Sequence, residues 1–321
     1  MGIFDIIKNF AIVKKLYYLK SEERHIAISN INKQHYYIIR RKTSDAGFFS
    51  NWIWVAAHLG YAEKKGYIPV VDQENYKTLY TENISINGSM NVWEYYFEQP
   101  DKISLKDAYE SNNYILCDLA IHSDELPYVE NTIDEFELDE NKLKRINAIV
   151  TRDIRLNKML NAELEEKWGE ITSKCKGIII GVHVRGTDKI IPPEGHYKAA
   201  GIDKYINVVN ELKKEYPQAA IFLCCDEKKS IEIFKGHFGD CIFFNEAYRA
   251  DGDSMVGIHL EQNESVRPLH KYSLGVEVIL DAYMLARCDC LVHTHSNVTN
   301  AAIILNGGKY IHRIFVEGCD K

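Results

Sequence analysis

Ile178-Ile179-Ile180-Gly181-Val182-His183-Val184-Arg185-Gly186-Thr187-Asp188-Lys189 is an apolar run that turns abruptly into charge. Its first part, Ile178 to Val184, is short and rich in β-branched residues, which reads as a strand buried on both faces. Such strands belong to parallel sheets covered by helices, and those sheets bind ligands beyond the carboxyl ends of their strands. Arg185, Asp188 and Lys189 stand at that end. Toward the C-terminus the alternation continues. A helix is expected over 202–216, a strand from Ala219 to Cys225 and a helix from Glu227 to Lys235 closed by Gly236. A strand from Cys241 to Phe244 and a helix over 274–287 come next. Cys290 to His293 is then a strand, Ser296 to Leu305 a helix, and Lys309 to His312 a last strand after the break at Gly307-Gly308.

Toward the N-terminus, helical segments at 139–153 and 157–171 precede Lys174-Cys175-Lys176-Gly177, where the domain boundary is placed. Earlier still, Tyr36 to Ile39 is β-prone and Ala46-Gly47-Phe48-Phe49-Ser50 is a glycine loop. Asn51 to Lys65 is helical with Gly66 as its cap, and Tyr67 to Val71 is a buried strand, completing a βαβ unit. The expected fold is α/β, with two Rossmann-like doubly wound domains, 1–175 and 176–321, facing a cleft. Trp93, Tyr95, Tyr96 and Phe97 form an aromatic patch read as core, with contact to a sugar as the alternative.

Composition narrows the function. The 321 residues are 46% hydrophobic and 26% charged, as in a globular protein, and the net charge is −7. That balance disfavours a nucleic-acid binder. No run of ~18 apolar residues is present to cross a membrane, and no secretory signal is expected. The eight cysteines form no C-x-x-C pair and several lie in apolar runs, so reduced core thiols and a cytoplasmic protein are expected. The Asn-x-Ser/Thr triplets at Asn83, Asn87, Asn263 and Asn297 then count as chance matches. Residues 1–20 read as a basic amphipathic helix that packs on its own fold, with peripheral contact at the inner membrane face as the alternative.

Three strand ends carry chemistry. Arginine grips a diphosphate well because its planar fork gives paired charge-assisted hydrogen bonds. Arg185 fits that role, or else pairs with Asp188 as a simple ion pair. Asp226-Glu227 closes the second strand. His293-Thr294-His295-Ser296-Asn297-Val298-Thr299 turns a strand into a helix, where Ser296 caps the helix and exposed N–H groups suit an anion, or Ser296 caps and nothing more. His293 and His295 have no third partner at metal-ligand spacing, so no metal site is expected.

In this order the three motifs resemble the fucosyltransferase superfamily that includes the α1,6-fucosyltransferases of N-glycan cores and the nodulation fucosyltransferases. The string H-x-R-x-T-D-K carries the resemblance, which covers roughly 174–312 and extends weakly to Gly47–Asn51. Residues 92–99 are also similar to a stretch of small bacterial glycosyltransferases. The resemblance implies a GT-B-like frame and a GDP-sugar donor, most simply GDP-fucose, with no cofactor. It places Arg185 on the donor diphosphate, His183 on guanine or ribose, and Asp281 on the guanine edge. Ser296, Asn297 and Val298 match the phosphate turn, Gly47 and Asn51 the approach from the opposite domain, and Asp226 the acid of the second motif. Gly186 stands where core-fucosylating enzymes have a second arginine, and Glu227 where they have aspartate.

The implied reaction is inverting transfer of L-fucose to a glycan hydroxyl without a metal, with a lipid-linked acceptor allowed. Another GDP- or UDP-sugar, or a non-catalytic nucleotide-sugar binder, are the rivals. Glu194 is the first choice for the base, with His196 and Asp188 as competitors, and Lys189 assists the leaving group. Asp281 reads guanine, or else pairs locally on its helix. The loop Ala250 to His270 is a candidate for the acceptor side.

Overall fold

The run beginning at Ile178 forms the middle strand of a five-stranded parallel sheet. The computed structural model describes residues 24–27, 35–41, 45–111, 113–117, 140–185, 200–249 and 267–318. In the first half, β1 (Arg24–Ala27), β2 (Tyr36–Ile39), α1 (Phe48–Lys65) and β3 (Ile68–Val71) lead to α2 (Val92–Tyr96), α3 (Leu105–Glu110) and β4 (Asn113–Leu116). Two helices follow, α4 (Glu140–Asp153) and α5 (Lys158–Lys174). The second half runs β5 (Ile179–Val184), α6 (Ile202–Glu215), β6 (Ala220–Cys225), α7 (Lys228–Phe238) and β7 (Ile242–Phe243). It ends with α8 (His270–Arg287), β8 (Cys290–His293), α9 (Asn297–Asn306) and β9 (His312–Phe315).

The first sheet has the order β1-β4-β2-β3, with β1 antiparallel to β4 and the other pairings parallel. The second has the order β7-β6-β5-β8-β9, parallel throughout. From β5 the chain steps outward to β6 and β7, then returns to the other side of β5 for β8 and β9. The switch point of the topology therefore falls between β5 and β8, where an open α/β sheet opens a crevice for ligand.

Alternation along the strands feeds two cores. Phe222, Cys224 and Leu291 face one side of the second sheet, while Ile221, Leu223, Cys290 and Val292 face the other. The first of these cores continues without interruption into Tyr37, Ile39, Val71 and Ile115 of the first sheet, through helices α1, α4, α5, α8 and α9. The aromatic patch belongs to it. Trp93, Tyr95, Tyr96 and Phe97 are all buried, and Tyr96 stacks on Tyr272 of α8 at 5.4 Å. The Tyr96 hydroxyl donates to the Tyr272 carbonyl at 3.1 Å, while Glu82 accepts from the Tyr272 N–H at 2.9 Å. A Cβ at Gly275 would stand 2.2 Å from the Tyr96 oxygen, so only glycine admits this approach.

Several boundaries differ from the sequence expectation: α1 begins at Phe48, inside the expected glycine loop, and α8 begins at His270 rather than at 274. Helix α7 runs past Gly236 to Phe238 and closes at Gly239, whose φ of +61° suits a residue without Cβ. The last strand is β9 rather than Lys309 to His312. Tyr310 is drawn inward instead, its hydroxyl donating to the carbonyls of Leu285 and Ala302, so pairing starts at His312. The seven cysteines among the described residues form no disulfide. No helix among those residues is long and apolar enough to cross a membrane.

Candidate functional site

Arg185 follows β5 directly, and its Nη1 donates to Ser296 Oγ at 3.2 Å. Ser296 ends the link after β8, so this contact bridges the switch point. The Ser296 backbone is extended, and its Oγ also accepts from the Val298 N–H at 3.2 Å, capping α9. Thr299 tightens the turn by donating to the carbonyls of Thr294 and Ser296. Asn297 accepts from the Asn300 amide at 3.3 Å, within the first turn of α9. A guanidinium, a capping hydroxyl and a helix N-terminus are thus gathered at one point, a combination suited to an anion.

The neighbours extend this group. His183 lies two residues before Arg185 in the same strand and is buried opposite Cys224. Val184 pairs with Cys225, which places Arg185 and Asp226 side by side beyond the sheet edge. Beneath them the hydroxyl of the fully buried Tyr205 lies next to Thr294 and the Arg185 backbone. Burial pushes that phenol well above its usual value, Asp226 adds to the rise, and Thr294 and Arg185 oppose it. Burial beside Asp226 likewise raises the Glu227 carboxyl. His293 and His295 pack on Phe315, and burial lowers both to about 4, so their rings are neutral at ordinary pH.

Asp281 enters from α8. Its Oδ1 accepts from Asn245 Nδ2 at 2.8 Å. Burial raises its carboxyl to about 6, against the Asn245 hydrogen bond and the Arg249 charge, while Glu277 adds to the rise. Arg249 is itself buried and donates to the backbone carbonyls of Cys225, Asn245 and Ala247. This group stands at the carboxyl end of β6, the strand next to β5.

Gly47 and Asn51 belong to a different edge, that of the first sheet. Gly47 caps α1 without a side chain, and its carbonyl accepts from the Asn51 N–H at 3.2 Å. Asn51 Oδ1 and Ser50 Oγ both accept from Arg41 Nη1, at 3.1 and 2.9 Å. Burial lowers Arg41 to about 10, with Asp45 opposing, and its guanidinium lies over Trp54 at 5.2 Å. Asp188, Lys189, Glu194 and His196 lie outside the described residues, as do Asp251, Asp253, His259 and Glu261 of the loop considered for the acceptor. Among the described residues no group of three or more His, Cys, Asp or Glu side chains is placed to hold a metal ion.

The sequence reading missed Arg41, Tyr205, Asn245 and Arg249. Arg41 was findable, because it ends a strand and precedes a glycine loop much as Arg185 ends its own. Asn245 and Arg249 follow a two-residue strand with no periodic signal around them.

No protein-family model matches the chain, and no curated protein matches it. Solved structures do. The NodZ alpha-1,6-fucosyltransferase soaked with GDP-fucose superposes with a TM-score of 0.53 at 18% identity, over 85% of this chain and 93% of that one. The fucosyltransferase NodZ from Bradyrhizobium gives 0.51 at 19% identity, over 84% and 92%. A mutant of Arabidopsis thaliana FUT1 in complex with GDP gives 0.51 at 12% identity, over 98% and 76%. At these identities the likeness is one of fold. The α/β GT-B-type fold of these fucosyltransferases is the fold of this chain.

Proposed function

We propose that the protein is a fucosyltransferase that moves L-fucose from GDP-fucose to a glycan hydroxyl, inverting the anomeric centre and requiring no metal. The observation that carries this reading is the contact of Arg185 with Ser296 across the switch point. It sets a cation and a helix N-terminus where a departing diphosphate would gain negative charge. Donors fixed before the reaction at a site of developing charge are worth several kcal/mol. The fold shared with fucosyltransferases supports the same donor class, since one of those structures holds GDP and another was soaked with GDP-fucose.

On this reading Arg185 and the Ser296–Val298 turn hold the diphosphate, with Asn297 in the same turn. Asp281 faces the nucleobase, where its carboxylate accepts from the two N–H donors of guanine. His183 and Asp226 complete the donor side, and Gly47 and Asn51 approach from the first sheet across a cleft between domains 1–175 and 176–321. Glu194 takes the proton of the attacking hydroxyl, with His196 and Asp188 as competitors, and Lys189 assists the leaving phosphate. In a one-step displacement the acceptor oxygen bonds to the sugar as the bond to GDP breaks, so GDP departs as an anion. The enzyme acts in the cytoplasm, with residues 1–20 available to meet the inner membrane face and a lipid-linked acceptor.

The test is direct. Purified protein incubated with GDP-fucose and a glycan array is expected to release GDP and label a subset of glycans, unaffected by EDTA. Activity abolished by EDTA and restored by manganese would overturn the metal-free mechanism. GDP binding with no transfer and no donor hydrolysis would instead make the chain a nucleotide-sugar binder. Glu194→Gln with unchanged turnover would remove Glu194 as the base.

A further inference from the structure

Two side chains donate to the Asp281 carboxylate, the Asn245 amide first and the Cys224 thiol as the weaker second. Asn245 Nδ2 donates to its Oδ1 at 2.8 Å and also lies 3.4 Å from the sulfur of Met284, one turn further along α8. Both amide hydrogens therefore point at α8, and the amide carbonyl cannot take their place, since it would set an acceptor against a carboxylate. Asn245 is buried, and its own backbone carbonyl accepts from Arg249 Nη2 at 2.6 Å. Arg249 is fixed in turn by the carbonyls of Cys225 and Ala247. The other charge near Asp281 on its helix, Glu277, is engaged by Arg267 through two contacts of 2.5 and 2.9 Å.

We propose that Asn245 is the positioning residue that sets nucleobase specificity, fastening one oxygen of Asp281 so that the other is presented to a base offering paired N–H donors. The proposal rests on the nucleotide reading given above. A side chain anchored by one hydrogen bond keeps a single orientation, and a buried carboxylate needs such a donor to stay charged. The groups facing Asp281 are Asn245 and Arg249, which favour its charge, and Glu277, which disfavours it, with the thiols of Cys224 and Cys225 alongside. Loss of the Asn245 donor thus removes both the orientation and part of the support for the anion. The diphosphate contacts at Arg185 and Ser296 are untouched by it.

The experiment is calorimetric titration of GDP and UDP into the full chain, its Asn245→Ala and Asn245→Ser variants, and Asp281→Asn alone and combined with Asn245→Ala. Wild type is expected to prefer GDP. Asn245→Ala should lower GDP affinity by about tenfold or more, the usual effect of losing a hydrogen bond to a charged group, with UDP changed by less than about threefold. The pH at which the GDP preference fades should also move upward. Asn245→Ala should therefore lower the GDP-to-UDP ratio of the wild type but leave it unchanged in the Asp281→Asn background, a contrast that a merely structural Asn245 would not give. Equal loss for both nucleotides, or no loss, overturns the role of Asn245 while leaving a wild-type GDP preference intact. A wild type without that preference overturns the guanine reading itself, and this inference with it. Asn245→Ser, a smaller change that keeps a polar group, serves if the alanine variant fails to fold.

Discussion

Arg41 follows β2 and reaches into the first turn of α1, the next helix in the chain, meeting Ser50 and Asn51 nine and ten residues on. Arg185 follows β5 and meets Ser296, 111 residues away, at the start of α9. The two sites use the same parts, a parallel strand, an arginine and a hydroxyl at a helix N-terminus. They differ in what must exist before the contact forms. A single βαβ unit makes the Arg41 contact, and its effect is to hold a loop and stack on Trp54. The Arg185 contact exists only when β8 has returned to lie beside β5, so it marks the crevice that the whole sheet creates. On the proposed reading the first is a clamp that also holds Asn51, and the second is the place for the donor diphosphate.

The comparison is tested most sharply by removing each arginine. Arg185→Ala is expected to lower kcat/KM for GDP-fucose by about 10²–10³-fold, the scale of losing a charge-stabilising donor. Arg41→Ala should instead lower unfolding free energy by about 1–2 kcal/mol in urea, leaving kcat/KM within about tenfold. Matching activity losses would erase the distinction between clamp and site.

A smaller effect comes from Asp281, whose carboxyl stands near 6 because of burial. Its folded value lies above its ordinary one, so ionising it disfavours the native state, and its contribution to stability falls as pH rises through about 6. Guanine recognition has the opposite sign, since it needs the anion. The GDP-to-UDP affinity ratio is therefore expected to fall by up to about tenfold per pH unit below 6, the slope of one proton taken up. A flat ratio between pH 5 and 8 would place Asp281 outside the nucleobase site.

Smaller still is the cap. Ser296→Ala should cost about 1 kcal/mol of stability, as loss of an N-cap does, together with a several-fold weaker GDP affinity. Ser50→Ala, at the matching position of the first sheet, should reduce stability by about 0.5–1 kcal/mol and leave GDP affinity alone. Chemical denaturation and calorimetry on the two variants read both quantities.

Much of the second half is legible before any coordinates. Strands β5, β6 and β8 are short apolar runs ended by polar residues, because a strand buried on both faces has no solvent side to alternate with. The first half is harder to read. β4 (Asn113–Leu116) mixes buried and half-buried positions and follows a stretch without clear period, so neither it nor the antiparallel β1 was foreseen. The strand at Lys309 to His312 was misplaced because apolar Tyr310 is taken by α8 and α9 rather than by the sheet. At the site, Arg185 and Ser296 were findable since each stands where a strand ends. Asn245 was not, because its partner Asp281 is 36 residues away in a helix.

The sequence by itself determined the alternation of strands and helices, the charged ends of β5 and β6 and the capping serine after β8. These depend on periodicity and on backbone groups within a few residues of one another. Only the tertiary structure decided which strand ends meet, that Tyr96 locks onto Gly275 of α8, and that Asn245 holds Asp281. Those contacts join residues far apart in the chain, and their existence depends on strand order, which no local pattern encodes.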